Sequence, residues 1–445
     1  MSNILEKENM PRYLRVYNYY KELILSGQLQ ENTKLPSIRK ASVQLQVSRT
    51  TMENAYMLLA AEGYILAKPQ SGYYVTNIVK KQSERDYIPN TYKKREHQEI
   101  KYDFMTSNVD RESFHFELWR RYMKSALRQD ERLLSYGEPQ GEADFREVLC
   151  DYLQQERSVV CSPEQIVIGA GVQSLLNILC PLIAKRKKVA FNNPKFTQGK
   201  AVFEDYGYEF CETYEEIENG IYYISPSQLT SWGGVMTIAQ RMKLINEAQR
   251  WNFLIIEDDY NSEFRYSTKP TPSLQGLAAG QGVVYLGTFS KMLLPSIRMS
   301  FMVLPTELLE AYENRREMYN QTASKAEQIA ITQFIRDGHL SRQIRKSRKI
   351  HLAKVSELAH TAKKIFGKDG KVEIGESGFQ VYLKLRTKLT TSEIQKRAAT
   401  KGIAIRLQPE NSALPDNNEV VILLNCANVS VEDYEVAISL LKECL

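Results

Sequence analysis

The residues with the most distinctive chemistry follow two short apolar runs. Asp258 and Tyr260 come directly after the run 253–257, and Lys291 comes shortly after the run 283–286. Short apolar runs bounded by turn residues predict buried, neighbouring strands of one sheet. Because ligands bind beyond the carboxyl ends of such strands, we expect a carboxylate, a phenol and an amine to share one cleft.

This combination of groups suits the cofactor pyridoxal 5'-phosphate (PLP). Lys291 would form a Schiff base with the aldehyde of the cofactor. Asp258 would pair with the pyridine nitrogen and keep it protonated, so that the ring draws electrons from the bound carbon. Tyr260 would donate a hydrogen bond to the 3-oxygen of the ring.

The cofactor's phosphate has candidate partners on both sides of the lysine. Thr288 and Ser290 offer hydroxyl groups, and Arg298, seven residues past the lysine, offers a charge-assisted fork. Taken singly, Lys291 is more simply a loop lysine and Asp258 a solvated acid at a strand end. Their joint order, Asp-x-Tyr, then Thr-x-Ser-Lys, then Arg, favours the cofactor site.

These motifs carry a family resemblance. EDDYNSEFRY together with YLGTFSK resembles the MocR/GabR-type regulators, a branch of the fold-type-I PLP enzymes of the aspartate aminotransferase superfamily. The resemblance runs from about Asp103 to the C-terminus. It implies a large α/β domain of the aminotransferase type over residues 102–445, with PLP as its cofactor.

Glycines near a second predicted strand suggest a phosphate cradle. The run 165–168 leads into GAGVQ and then into a predicted helix. Glycines at such a turn let backbone N–H groups approach a phosphate, which makes Gly171, Val172 and Gln173 the candidate cradle. A single GxG mostly marks a tight turn, but its place before the aspartate and the lysine matches the order in the superfamily.

Two aromatic residues enter the site through the resemblance alone. Tyr136, in YGEPQG, matches a Tyr-x-x-Pro-x-Gly element whose tyrosine would reach the phosphate bound by the partner subunit of a homodimer. Phe196, in NNPKF, stands where the family stacks an aromatic ring on the cofactor. An ordinary turn tyrosine and a core phenylalanine are the simpler alternatives.

The sequence departs from the superfamily on the substrate side. SPSQLTSWGGVM replaces a TPS-x-x-x-P-x-G segment, with Ser231 at the usual proline and Trp232 beside it. Leu423 stands where aminotransferases and GABA-responsive relatives carry the arginine for the substrate carboxylate. Losing that arginine removes roughly 1.5–3 kcal/mol of binding free energy, so an ordinary α-amino acid should bind poorly in the usual pose. Arg406 is a candidate substitute, although a solvated strand-end arginine is the simpler interpretation.

The basic charge of the chain is concentrated at its start. The 445 residues carry a net charge of +6, with 43% hydrophobic and 25% charged residues, as in a globular protein of two or three domains. Residues 1–101 hold 16 Lys and Arg against 10 Asp and Glu, whereas the remainder holds 43 of each. The excess therefore lies in a part that we expect to meet a polyanion.

This basic part predicts three helices and a hairpin. Apolar residues recur at helical spacing over 11–26, a second helix begins near Ser37, and Ser48 can cap a third helix that ends at Gly63. The sequence KPQSG then separates two β-like segments, 64–67 and 73–76. Together they indicate a small α+β winged helix-turn-helix domain over residues 1–78.

A winged helix-turn-helix inserts the N-terminus of its third helix into the major groove of DNA. The candidate groove contacts are Arg49, Thr50 and Thr51; the candidate phosphate or minor-groove contacts are Arg39, Lys68, Ser71 and Gly72. A small helical domain with merely solvated basic residues is the simpler alternative. However, the whole stretch from KLPSIRK to SGYYV resembles the GntR-family DNA-binding domain, which implies double-stranded DNA as a partner.

Other features set limits on the class of protein. Residues 79–101 are rich in Lys, Glu, Arg and Gln and predict a flexible linker. Six scattered cysteines without CxxC spacing argue against a zinc site and a disulfide framework and favour a cytoplasmic protein with reduced thiols. MSNILEKENM lacks an apolar signal segment, and the uncharged stretch 165–184 contains Gln173, Asn177 and Pro181, which disfavours a membrane span.

The leading hypothesis is a homodimeric transcription regulator that joins a winged helix-turn-helix to a PLP-binding, aminotransferase-like domain. That domain would sense an amine, an amino-acid-type ligand or PLP itself. One alternative is a working PLP-dependent aminotransferase with an accessory DNA-binding domain. A degenerate fold used only for dimerisation is disfavoured, because Lys291, Asp258 and Tyr260 are all retained.

Overall fold

The fold is taken from a computed structural model, which describes residues 10–77, 100–105, 109–193, 196–229, 234–260, 262–264, 271–375, 380–408 and 419–445. Contacts divide the chain into two compact units, Met1–Glu96 and His97–Leu445. Residues 79–99 of the predicted linker lie outside the described residues. The domain boundaries at residues 78 and 102 stay a prediction.

The first unit contains the three expected helices and the hairpin. Its elements are α1 (Arg12–Leu25), α2 (Ile38–Gln44), α3 (Arg49–Ala61), β1 (Ile65–Lys68) and β2 (Gly72–Val75). The strands pair antiparallel, with Ile65 opposite Val75. As predicted, Ser48 caps α3 by accepting a hydrogen bond from the Thr51 N–H at 3.1 Å. Ser37 caps α2 in the same way.

Aromatic side chains join the helices of this unit to its hairpin. Tyr20 of α1 meets Tyr56 of α3 edge to face, with 5.4 Å between the ring centroids. Tyr56 in turn meets Tyr73 of β2 at 5.1 Å. The Tyr56 hydroxyl donates to the Pro36 carbonyl oxygen at 3.0 Å, so this buried polar group is satisfied.

The second unit is built on a seven-stranded sheet. Its strands, after a short β3 (Tyr102–Asp103), are β4 (Ile166–Gly169), β5 (Lys188–Phe191), β6 (Glu209–Cys211), β7 (Ile221–Ile224), β8 (Leu254–Asp258), β9 (Val283–Thr288) and β10 (Ser300–Val303). The order across the sheet is β4-β10-β9-β8-β7-β5-β6, and β10 runs antiparallel to both of its neighbours. Every residue of β4, β7 and β8 is buried, as expected for strands covered on both faces.

The helices of this unit include a long one that leads toward a smaller sheet. They are α4 (Phe116–Ala126), α5 (Asp130–Leu133), α6 (Ala143–Arg157), α7 (Val172–Leu182), α8 (Thr197–Asp205), α9 (Ile238–Trp251), α10 (Leu274–Leu277), α11 (Leu309–Glu313), α12 (Lys325–Arg336) and α13 (His339–Phe366). Among the described residues, no helix is long and apolar enough to span a membrane.

The C-terminal part adds a four-stranded antiparallel sheet. Its elements are β11 (Gly370–Ile374), β12 (Gln380–Arg386), α14 (Thr391–Thr400), β13 (Ile403–Ala404), β14 (Arg406–Gln408), β15 (Glu419–Asn425) and α15 (Tyr434–Lys442). The order is β11-β12-β15-β14, and β13 pairs instead with β3 in parallel. One face of this sheet forms an apolar core with α13 and α15, so the other face is left for a site.

The two strands predicted around the chemical residues are neighbours, as expected. β8 and β9 pair in parallel, with Asp258 opposite Leu286. Asp258 is the last residue of β8, and Lys291 lies three residues past the end of β9. The predicted strand at 165–168 is β4, and the uncharged stretch after it contains α7.

Candidate functional site

Asp258 is a buried acid at the carboxyl end of β8. Its side chain accepts a hydrogen bond from the Tyr223 hydroxyl at 2.7 Å. Burial raises the pKa of Asp258 to about 7, while the bond from Tyr223 opposes that rise. A cationic partner would restore the charged carboxylate, because an opposite charge at close range favours ionisation. The environment therefore suits a carboxylate that faces a protonated ring nitrogen.

Lys291 lies just beyond the neighbouring strand, in a largely dehydrated position. Burial lowers the pKa of its ammonium group to about 8. The neutral amine is the nucleophile toward an aldehyde, and a pKa near 8 leaves a useful fraction neutral at physiological pH. Desolvation thus favours the nucleophilic form of the amine, as the predicted role of Lys291 requires.

Hydroxyl groups converge beside the lysine. Ser300 donates to Thr288 Oγ1 at 3.0 Å, and Thr288 and Ser290 are joined through their hydroxyl oxygens at 3.1 Å. Thr288 and Ser290 were predicted for this position, but Ser300 was not. It arrives because β10 is antiparallel to β9, which sets Ser300 opposite Thr288.

Arg298 lies against the N-terminus of α7, where Gly171 is the N-cap residue. Gly171 has φ +104°, and a Cβ atom built on it would lie 2.4 Å from the nearest Arg298 Nη. The first N–H groups of a helix have no partner within it, so α7 directs free donors toward the same volume as the guanidinium. Together they form a cradle for an anion such as a phosphate, and the residues fit PLP.

We expect Gly171→Ala to weaken PLP binding by about tenfold or more, because the added methyl group must displace Arg298. A titration of the cofactor-free protein followed by absorbance would measure the change. Gly207→Ala is the matched control, since Gly207 also has a positive φ but has nothing within 4 Å of its would-be Cβ. Equal losses in both variants would attribute the effect to backbone strain instead.

A cavity of about 650 Å³ opens beside these groups. Four of the predicted cofactor-binding residues line it: Val172, Phe196, Asp258 and Tyr260. Tyr260 donates to the Gln228 side chain, which lines the same cavity. The Phe196 ring lies 5.3 Å from the Tyr223 ring and packs onto Gly199, where a side chain would collide with it.

The remaining predicted residues lie at the periphery of the site. Gln173 uses its side chain to donate to the Gln198 carbonyl at 3.2 Å. Tyr136 is fully exposed, while its carbonyl oxygen accepts a hydrogen bond from Lys325 at 3.3 Å. The loop is therefore anchored while its aromatic side chain projects from the chain. Ser231 and Trp232 lie outside the described residues.

Behind Asp258, a buried ion pair joins distant parts of the fold. Arg157 at the end of α6 approaches Asp259 to 2.6 Å, and the hydroxyls of Ser227 and Tyr285 also donate to this acid. Both charged side chains are almost completely buried. The network fixes the backbone next to Asp258, and the sequence did not predict it.

In the first unit, the predicted DNA contacts are mostly exposed. Arg49 has 79% of its side chain exposed, and its Nε donates to Glu53 at 2.9 Å, one turn further along α3. Thr50 and Arg39 are exposed, whereas Thr51 shares its hydroxyl with the capping Ser48 at 2.8 Å. Thr51 was predicted to contact the DNA groove, but in the structure its hydroxyl group contacts the N-cap residue of α3.

The wing presents a basic and aromatic tip. The ammonium group of Lys68 lies 4.6 Å from the centre of the Tyr74 ring. The ammonium group of Lys34 lies 5.8 Å from the centre of the same ring. The Ser71 and Tyr74 hydroxyls are 2.7 Å apart, next to Gly72. Lys34 and Tyr74 were not predicted; they follow from the bridge between Lys34 and Tyr74, which attaches the segment before α2 to the wing.

Comparisons with known families agree with these two folds. Residues 12–75 match the bacterial regulatory proteins of the gntR family. Residues 100–221 and 230–441 match the aminotransferase class I and II family. The second unit therefore has the fold-type-I aminotransferase architecture, and the first is a GntR winged helix-turn-helix.

Individual relatives combine both parts. The chain is 35% identical over 414 residues to the uncharacterized HTH-type transcriptional regulator YdeL of Bacillus subtilis (strain 168), covering 89% of each chain. It is 25% identical over 436 residues to the probable rhizopine catabolism regulatory protein MocR of Rhizobium meliloti, covering 91% of this chain and 88% of that one. Kynurenine aminotransferase of Pyrococcus horikoshii superposes with a TM-score of 0.66 at 21% identity, covering 78% of this chain and 90% of the other.

The chain belongs to the MocR-like HTH-type transcriptional regulators, in which a GntR DNA-binding domain precedes an aminotransferase-like domain.

Proposed function

We propose that this regulator binds PLP at Lys291 and uses its aminotransferase-like domain to sense an amine, an amino-acid-type ligand or PLP itself. One observation carries the proposal: Arg298 lies against the N-terminus of α7 and Asp258 is a buried acid beside the cavity, yet the position expected for the carboxylate arginine is the buried Leu423. A chain that keeps the cofactor contacts while losing the contact for an ordinary substrate suits sensing better than turnover.

Each cofactor contact has a proposed role. Asp258 would hold the ring nitrogen, Tyr260 the 3-oxygen and Phe196 the face of the ring. The phosphate would lie among the hydroxyls of Thr288 and Ser290, the Arg298 fork and the helix N-terminus at Gly171, Val172 and Gln173. When bound, PLP supplies an aldehyde that exchanges between amines. Lys291 supplies the amine that a ligand would compete with.

A homodimer is part of this proposal. Tyr136 is fully exposed on an anchored loop, as expected for a residue whose contact lies on a second copy of the chain. A regulator that binds DNA acts where the chromosome is, so we place it in the cytoplasm. Working transamination is the second candidate function, favoured by the retention of all the cofactor residues.

The test uses the full-length, PLP-loaded protein. Binding to the DNA upstream of its own gene would be followed by fluorescence anisotropy, with and without a panel of amines and amino acids, while product formation is measured in parallel. We expect ligands that shift the visible band of the cofactor also to change DNA binding, with little product. Rapid turnover without any effect on DNA would support the enzyme instead.

We expect Arg49→Ala to weaken binding to the operator by about 1–3 kcal/mol and to relax base preference at one position. Arg49 lies one residue inside α3, and Glu53 orients its side chain. Lys68→Ala, at the wing, should instead weaken all DNA sequences alike and lower the salt dependence. Anisotropy at fixed salt separates the two outcomes, and an unchanged operator affinity for Arg49→Ala would refute the proposed groove contact.

A further inference from the structure

Three residues form a row across the cavity side of the smaller sheet. Tyr382 of β12 lies opposite Leu423 of β15, and Leu423 lies opposite Arg406 of β14. Directly opposed residues of antiparallel strands project to the same face, with about 4.5–5.5 Å between their Cβ atoms. Leu423 and Arg406 both line the 650 Å³ cavity. The row therefore sets an arginine one strand away from residue 423.

The middle of this row is apolar and closed. Leu423 has only 3% of its surface exposed, and it packs in a small cluster with Tyr382 and Val421. The Tyr382 hydroxyl is satisfied by the Gln380 side chain at 2.9 Å. A ligand's carboxylate placed against Leu423 would lose water without gaining a charged partner, which is costly.

Arg406 offers the missing charge at the same cavity. In the described parts of the chain, no acidic side chain forms an ion pair with it, and the lining residues that follow it on β14, Leu407 and Gln408, are uncharged. Burial raises the pKa of Tyr260, the adjacent Asp258 raises it further and Arg406 lowers it, so the guanidinium charge is felt at the hydroxyl beside the cofactor position. The amides of Gln380, Gln395 and Gln408 also line this half of the cavity.

We propose that Arg406 binds the carboxylate of the sensed ligand, which is a small primary amine that carries an acidic group. The anion site is thereby moved by one strand, about 4.8 Å, from its place in aminotransferases. This inference rests on the proposed sensing function and names the ligand class for it. Arg406 selects acids over plain amines, and the surrounding glutamines supply hydrogen bonds without opposing charge.

The displaced anchor has a consequence for ligand length. The amine of the ligand must reach the position of Lys291, while its carboxylate must reach a guanidinium on β14 instead of β15. In an α-amino acid the distance between amine and carboxylate is fixed, whereas in ω-amino acids this distance increases with the number of carbons. The protein should therefore discriminate among amino acids by the number of carbons between amine and acid.

The experiment measures dissociation constants of the PLP-loaded, full-length protein from the shift of its visible band. The probes are the ω-amino acids from glycine to 6-aminohexanoate, each compared with the alkylamine that lacks the carboxylate. For the wild type we expect at least one acid to bind about tenfold or more tightly than its amine, as a charge-assisted contact supplies. Arg406→Gln should remove this preference and leave the affinity for the amines unchanged.

Two further variants make the test specific to Arg406. Arg397→Gln, on the exposed side of α14, removes an equal charge away from the cavity lining and should keep the acid preference. The exchange variant Arg406→Leu with Leu423→Arg should restore an acid preference but with a different best chain length. An acid preference that survives in Arg406→Gln, or none in the wild type, would overturn the proposal.

The same titration distinguishes a failure of the Arg406 anion site from a failure of the proposed PLP-based sensing. A wild-type protein that shows no visible band with excess PLP would refute the proposed cofactor role before any ligand is added. A normal band that shifts with amines and acids alike, in the wild type and in Arg406→Gln, would keep PLP-based sensing and refute only the anion site.

Discussion

Replacing Lys291 with alanine is expected to abolish covalent attachment of PLP and every ligand-dependent change in DNA binding, while DNA binding without ligand remains. The lysine is the only proposed covalent link, and the proposed DNA contacts lie in the other unit of the chain. A ligand can shift the arrangement of a regulator only through its different affinities for two states. Without the amine of residue 291, a ligand amine has no lysine to displace from the cofactor, so ligand binding can no longer favour one of the two states.

Borohydride reduction followed by peptide mapping measures the first part, and DNase footprints with and without PLP and amine measure the second. Lys349→Ala, an exposed substitution on α13, is the matched control and should behave like the wild type. Since burial lowers the pKa of Lys291 to about 8, labelling at limiting PLP should accelerate as the pH rises through that value and the amine loses its proton. A Lys291→Ala footprint that still responded to ligand would show non-covalent sensing.

Arg157→Met is expected to lower the free energy of unfolding by about 3–5 kcal/mol, because it leaves Asp259 as a buried charge without its cation. The pair joins α6 to the end of β8 at 2.6 Å, with both side chains almost fully buried. Chemical denaturation followed by circular dichroism would measure the loss. The exposed pair Lys364–Glu435 is the control, and Lys364→Met should leave the free energy of unfolding nearly unchanged, because solvent screens that pair.

The ion pair also predicts a pH dependence. Burial alone would raise the pKa of Asp259, but Arg157 and the Tyr285 hydroxyl hold it below its ordinary value of 3.8. An acid whose pKa is lower in the folded state than in the unfolded state stabilises the fold at pH values above its unfolded pKa. This contribution disappears as the pH falls through the folded pKa. In Arg157→Met the buried carboxylate lacks its cation and its pKa rises, so the difference in stability between wild type and variant should shrink as the pH falls from that raised pKa toward the depressed pKa of the wild type. A constant difference down to pH 2 would contradict this origin.

The sequence was sufficient for features that local patterns determine. Helical spacing and the capping Ser48 predicted the three helices of the first unit, and the structure has Ser48 as an N-cap, with Ser37 as a further N-cap that was not predicted. Apolar runs predicted β8 and β9 as neighbours, which sets Asp258 and Lys291 at one edge. The fold class is confirmed by the family matches, whereas the roles of the site residues stay predictions.

Contacts between residues far apart in the chain could not be predicted. Arg157 and Asp259 are 102 positions apart, and neither has a sequence pattern that identifies its partner. Tyr223 reaches Asp258 only because β7 lies beside β8, and Ser300 joins the hydroxyl cluster only because β10 is antiparallel. A family resemblance could indicate which residues face PLP, but not which side chains support them.

The short pairing of β3 with β13 joins the first described residues of the second unit to the segment before β14. The backbone N–H groups of Lys101 and Tyr102 donate to the Gly402 carbonyl at 2.8 and 2.9 Å, and Phe104 donates to Ala404 at 2.9 Å. Arg406 follows two residues later. The chain that arrives from the DNA-binding unit is therefore fastened, at its first described residues, to the strand segment that leads into the cavity wall. These backbone hydrogen bonds hold residues 101–104 against the segment that directly precedes β14, so a change in the backbone at Arg406 would lie two residues from this attachment.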